Sequence, residues 1–243
     1  MQFSTLLLSL SATTALALPH DLLPRAKGSS SELSKISLPQ SALPAVDSSL
    51  ELKYATLGVG TQNYTCSATP KSSAGAPVSV GAVAELFDAA PLLTMGNTRD
   101  ATLNMEQSTP ALALGLFEST GLEPSQLPFP LNLKQVGNHF FGAGLVPTFV
   151  LDKANPSGQI ACKKTGDIPA PAGAYAGAQG EGAVDWLQLG DNALGFSAGT
   201  PLEGGAVYRI ETAGGMQDKT CANREGDFEV KYSALYFFFG PKN

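Results

Sequence analysis

Charge is scarce in this chain, and basic charge is scarcest. Only 15% of its 243 residues are Asp, Glu, Lys or Arg, against roughly 25% in an average soluble protein. Twenty-one acids outnumber 15 bases, which leaves a net charge of −6. No basic run exceeds the pair Lys163-Lys164. A stripe that neutralises phosphates is therefore excluded, and nucleic acid is not an expected partner. Histidine is rarer still, and only His139 lies in the part of the chain that reads as a folded domain. A zinc site built from several histidines is excluded there. The three cysteines, Cys66, Cys162 and Cys221, have no Cys-X-X-Cys spacing, so no metal is expected. Long apolar runs are also missing. No stretch approaches the roughly 20 residues of a membrane-spanning helix, and no membrane anchor is expected.

What the chain does have begins with an address. "MQFSTLLLSLSATTALALPH" carries an apolar stretch from Leu6 to Leu18 that ends in Ala15-Leu16-Ala17, the small-X-small pattern of signal-peptide cleavage. Residues 1–17 are read as a signal peptide and the protein as secreted. Asn63-Tyr64-Thr65 is the one N-glycosylation sequon, since Pro156 disqualifies Asn155. In an oxidising compartment three cysteines imply one disulfide and one leftover thiol, or a bridge to another chain. Spacing alone does not choose among the three pairings.

Residues 18–48 are rich in Ser, Pro and Leu without helical or strand period, and read as a flexible leader or linker. Residues 49–243 read as a single β-rich domain. Strand patterns start near Glu51. "SVGAVAELFDAAPLL" (79–93) shows the spacing of a helix stopped by Pro91, and a second helix is expected around "PALALGLFEST". "NHFFGAG" and "PTFVLD" suggest a hairpin. "AVDWLQL" holds the only tryptophan, Trp186, and "AVYRIET" alternates between two faces. "FEVKYSALYFFF" (228–239) is apolar on both faces at its end, so it is placed in the middle of the fold. The expected class is mainly β, an antiparallel β-sandwich or barrel with one or two short helices.

The glycine pair in "YATLGVGTQNYTC" raises a cofactor question. A dinucleotide loop needs Gly-X-Gly-X-X-Gly between a strand and a helix. Here Asn63 stands where the third glycine belongs, and strand-like residues follow. Gly58 and Gly60 therefore read as a bend, and no cofactor is expected. A serine nucleophile would depend on His139 as its base. The carboxylates Asp152, Glu181, Asp185, Glu211, Asp227 and Glu229 could act in pairs on glycosides, with Asp185 and Glu211 the catalytic candidates beside His139. Glu181 and Asp185 flank Trp186, as in a sugar-binding platform, although a lone strand tryptophan also suits a core.

Taken together, "GVGTQNYTC", "GAVAELFDA", "HFF", "GAVDWLQL", "VYRIETAGG" and the closing "C…VKYSALYFFF" resemble the secreted fungal branch of the domain-of-unknown-function 3455 family. The pieces match in order over about residues 50 to 239. The resemblance implies a small secreted protein; some members carry a malate-dehydrogenase label, which the reading of Gly58 and Gly60 does not support. Fungal relatives commonly place a cysteine soon after "LFDA", where this chain has Ala89-Ala90-Pro91. Cys66 and Cys221 lie in matching motifs, so the resemblance implies that pair as the disulfide. The leading expectation is a non-catalytic extracellular or cell-surface binding or structural protein, with cell-wall polysaccharide or a small apolar ligand as partner. A secreted enzyme, a hydrolase or isomerase, using His139 with a nearby carboxylate is the second reading. A carrier with an apolar cavity lined by Phe141, Phe149 and Tyr236 is the third.

Overall fold

The computed structural model describes residues 33–66, 75–95, 99–129, 132–222 and 224–242. The predicted signal peptide lies outside the described residues. Eight antiparallel strands form a closed barrel in chain order: β1 (Leu50–Cys66), β2 (Val78–Asp88), β3 (Gln135–Gly142), β4 (Val146–Leu151), β5 (Gly158–Ile168), β6 (Trp186–Asp191), β7 (Ala206–Gly214) and β8 (Gly226–Pro241). Closure pairs β8 with β1 from Leu50↔Pro241 to Cys66↔Gly226, so neither long strand is left with an open edge. Between β2 and β3 come the short helix α1 (Ala90–Leu93) and the 22-residue helix α2 (Arg99–Thr120). The barrel alternative of the expected class is the one formed.

Strand alternation builds two cores from one wall. Ala234, Tyr236 and Phe238 of β8 face the barrel interior with Leu86, Phe149, Ile160 and Val207. Leu235, Phe237 and Phe239 face outward, where Leu114 and Phe117 of α2 cover them. This explains why the end of β8 is apolar on both faces. Ile36 and Leu43, inside the expected flexible leader, are buried in the outer core, and the Tyr208 hydroxyl donates to Pro44 O at 2.9 Å. From Leu33 to Val46 that segment therefore packs as part of the fold.

Two local readings are corrected. Residues 79–93 are not one helix: β2 runs to Asp88 and only Ala90–Leu93 is helical. Val80, Val83, Ala84 and Phe87 fit a helical period, yet Ala82, Ala84 and Leu86 also alternate inward while Phe87 joins the outer core. Pairing on both sides decides the ambiguity for the strand. Gly58 and Gly60 do not join two strands either, because they sit inside a strand of 17 residues. A β-carbon at Gly58 would stand 2.6 Å from the Tyr236 ring, and one at Gly60 would press into the Val83 carbonyl. The glycines make room for a ring and a neighbouring backbone, not for a phosphate.

Candidate ligand-binding groove and the filled barrel interior

His139 comes from β3 and points into the barrel. It stacks on Phe149, with ring centroids 4.1 Å apart, and Phe141 and Tyr236 complete its surroundings. Its Nδ1 lies 2.9 Å from Thr148 O; a carbonyl only accepts, so Nδ1 carries the proton. Burial pulls the histidine pKa down to about 4, the Arg209 charge adds to that, and the Thr148 bond opposes it. The imidazole is neutral at physiological pH. No hydrogen bond or ion pair among the described residues joins it to Asp185, Glu211 or another carboxylate. The three rings expected to line a carrier cavity instead pack around His139.

Beside this aromatic plug lies a polar chain. Tyr232 and Tyr236 share a hydroxyl–hydroxyl bond of 2.9 Å. Arg209, of β7, extends Nε and Nη2 to Asp185 O at 3.2 and 2.9 Å. Asp185 thus contributes its backbone here. Glu211 sits in the bulge of β7 with φ of 47°. Burial raises its carboxyl pKa to about 7. Trp186 is 4% exposed in the outer core, so it is a packing residue and no sugar platform. Asp152 and Asp227 are exposed.

Two of the predicted acids do converge, at one end of the barrel. Glu181 and Glu229 line a groove of about 360 Å³ together with Glu118, Asp218, Arg224 and Phe228. Four chain segments build it. Glu118, near the end of α2, accepts from the Ala178 amide at 2.9 Å and the Tyr175 hydroxyl at 3.2 Å, which ties the 175–178 loop to the helix. Asp218 pairs with Arg224 at 3.2 Å. Arg224 also lies 4.1 Å over the Phe228 ring, which stacks against Tyr64. Lys231 donates to Phe117 O at 2.7 Å. Both cations of the groove are thereby engaged, while Glu181 and Glu229 have no ion pair among the described residues. Cys66 and Cys221 are joined in a disulfide across 155 residues of sequence, the pair the resemblance implies, and it ties the Asp218–Arg224 segment to the end of β1. Cys162 is a buried free thiol.

Sequence reasoning missed one pattern. Gly195-Phe196-Ser197-Ala198-Gly199 has the spacing of a nucleophile elbow. Ser197 is only 1% exposed, and its hydroxyl makes a short bond to Asp191 Oδ2. Asp191 also accepts from the Ala193 and Gly204 amides. Burial works to raise the Asp191 pKa, but these bonds and Lys163 outweigh it and hold the carboxyl below its usual value. No hydrogen bond among the described residues joins Ser197 to His139, whose Nδ1 is bonded to Thr148 O inside the barrel. The pentapeptide is a loop closure. No cluster of three or more metal-ligating side chains occurs among the described residues.

A closed antiparallel barrel, with aromatic rings packed in its interior and a polar groove at its end, defines the class of protein. The chain belongs to the family described as "Protein of unknown function (DUF3455)", whose profile matches residues 47–240. No similar protein was found among curated proteins or solved structures.

Proposed function

We propose that this is a secreted, non-catalytic binding protein that takes hydroxyl-rich polysaccharide, such as that of a fungal cell wall, in the groove at the barrel end. The observation that carries the reading is the composition of that groove. Among the described residues Glu181 and Glu229 offer acceptors without ion-pair partners, and a carboxylate accepting from sugar hydroxyls makes charge-assisted bonds. A small apolar ligand fits less well, because Phe228 already has Tyr64 stacked on it and Arg224 over its ring. The enzyme reading loses its support, since His139 lies among rings with Thr148 O as its partner. The carrier reading loses its own, since Phe141, Phe149 and Tyr236 fill the space they would have to line. The test is depletion of the full chain from solution by insoluble β-glucan and chitin. Native protein should be depleted and the Glu181→Gln/Glu229→Gln double variant about tenfold less so, corresponding to one lost charge-assisted bond. Equal depletion of both would remove the groove from the account.

A further inference from the structure

Arg209 is a buried cation, 9% exposed, that takes part in no ion pair among the described residues. The groups that feel its charge inside the barrel are Tyr64, His139, Tyr232 and Tyr236, all neutral at physiological pH; the Asp185 carboxylate also acts on Tyr64 but makes no ion pair with Arg209. A buried charge without a counter-charge is costly and normally has a partner. The Nε–Nη2 edge of a guanidinium is the fork that receives a carboxylate or phosphate through two parallel bonds. In this protein a peptide oxygen, Asp185 O, occupies that fork, and the guanidinium also bonds the Tyr236 hydroxyl.

The peptide that supplies this oxygen belongs to a small flap over the barrel end. An isolated bridge joins Ala183 to Gly215. The Val184 amide donates to Gly214 O at 2.9 Å and the Met216 amide to Gly182 O at 3.2 Å. The Thr212 hydroxyl clasps Val184 O, and the Tyr64 hydroxyl clasps Gly215 O. Gly182, Gly214 and Gly215 have φ of 121°, 61° and 86°, conformations that suit a glycine hinge. A second donor lies at the same end: Gln62 is 6% exposed, and its side chain faces the neutral Tyr232 hydroxyl, with Nε2 short of a full hydrogen bond. Its Cγ would lie 3.1 Å from a β-carbon at Gly215.

We propose that Arg209 is a gated oxyanion site, in which a small carboxylate or phosphate displaces Asp185 O from the guanidinium fork and opens the flap. The exchange replaces a neutral acceptor with an anionic one, and a charge-assisted bond is roughly twice as strong as a neutral one. Gln62 Nε2 gains an anionic acceptor in place of the neutral Tyr232 hydroxyl. The site is separate from the polysaccharide groove, although Gly214 and Gly215 border both.

Hydrogen exchange of the full chain, read at the Val184 and Met216 amides, tests this in sodium acetate, sodium phosphate and sodium chloride at equal ionic strength. Acetate or phosphate should speed exchange at both amides about tenfold over chloride, with saturation. Acetate alone would assign a carboxylate ligand and phosphate alone a phosphate; either supports the site. Arg209→Lys keeps the charge but loses the fork, and should abolish the response. Should that variant fail to fold, Gln62→Leu should raise the half-saturating concentration about tenfold. Identical exchange in the three salts overturns the proposal. So does an Arg209→Lys protein that responds like the native one, or, where Arg209→Lys does not fold, an unchanged half-saturation in Gln62→Leu.

Discussion

Tyr236 occupies the space that Gly58 leaves open. A single added β-carbon at 58 would stand 2.6 Å from Tyr236 Cε2 and 3.3 Å from Leu86 Cδ2. Tyr236 is 1% exposed and in turn packs on Phe149 and His139, so it has little room to yield. Gly58→Ala should therefore destabilise the protein by about 1–3 kcal/mol, the usual cost of overpacking a core. Urea unfolding reads this as a lower midpoint with an unchanged slope. A cofactor loop would behave differently, losing a ligand while keeping its stability.

Acid should weaken the barrel through His139. Its folded pKa of about 4 lies below the ordinary 6.5, so the unfolded chain takes up the proton first as pH falls. Stability from the neutral ring is full above 6.5 and is lost as pH falls toward 4. For this fully buried ring the loss amounts to about 3 kcal/mol at most, at 1.36 kcal/mol per pKa unit. His139→Leu removes the titration. Melting temperatures at pH 7 and pH 4 should converge in the variant relative to the native chain.

Glu211 works in the opposite direction. Its folded pKa of about 7 exceeds the ordinary 4.5, so its contribution is present below 4.5 and is lost as pH rises through 7. The group is partly exposed, and solvent screening reduces the effect. Glu211→Gln should stabilise the protein by about 1 kcal/mol at pH 8 and have little effect at pH 4. Glu211→Gly should add to this by relieving the φ of 47°. Paired denaturation curves at the two pH values check both variants.

Cys66 and Cys221 close a loop across 155 residues, so their removal should cost about 2–5 kcal/mol. Cys162 should be inert. Burial pushes its thiol pKa up, and the nearby Asp191 pushes it further, so little reactive thiolate forms. A thiol reagent should label Cys162 only as the native chain unfolds, with the label appearing along the unfolding curve.

Sheet-forming segments were legible wherever one face alternates, as in β7, or where both faces are apolar, as in β8. The two-sided apolar end of β8 correctly implied a central strand, since α2 covers the outside while rings fill the inside. β2 was misread because Ala, Val and Phe at those spacings satisfy both periods, and only pairing with β1 and β3 separates them. The leader was misread because Ile36 and Leu43 are isolated apolar residues whose burial depends on a distant wall. The groove was not legible at all. Glu118, Glu181, Asp218 and Glu229 come from separate segments, and only barrel closure brings them together. His139 stood out as the one histidine of the domain, but scarcity carries no information about what surrounds a side chain.

The most direct measurement is an amide chemical-shift map of the full chain titrated with a soluble β-glucan oligosaccharide. Binding in the groove predicts saturable shifts at Ala178, Gly214, Gly215 and Val230, with the amides around His139 and Phe149 unmoved. Shifts concentrated at His139 and Phe149, or none at the groove amides at saturating sugar, would contradict a polysaccharide-binding groove on a filled barrel.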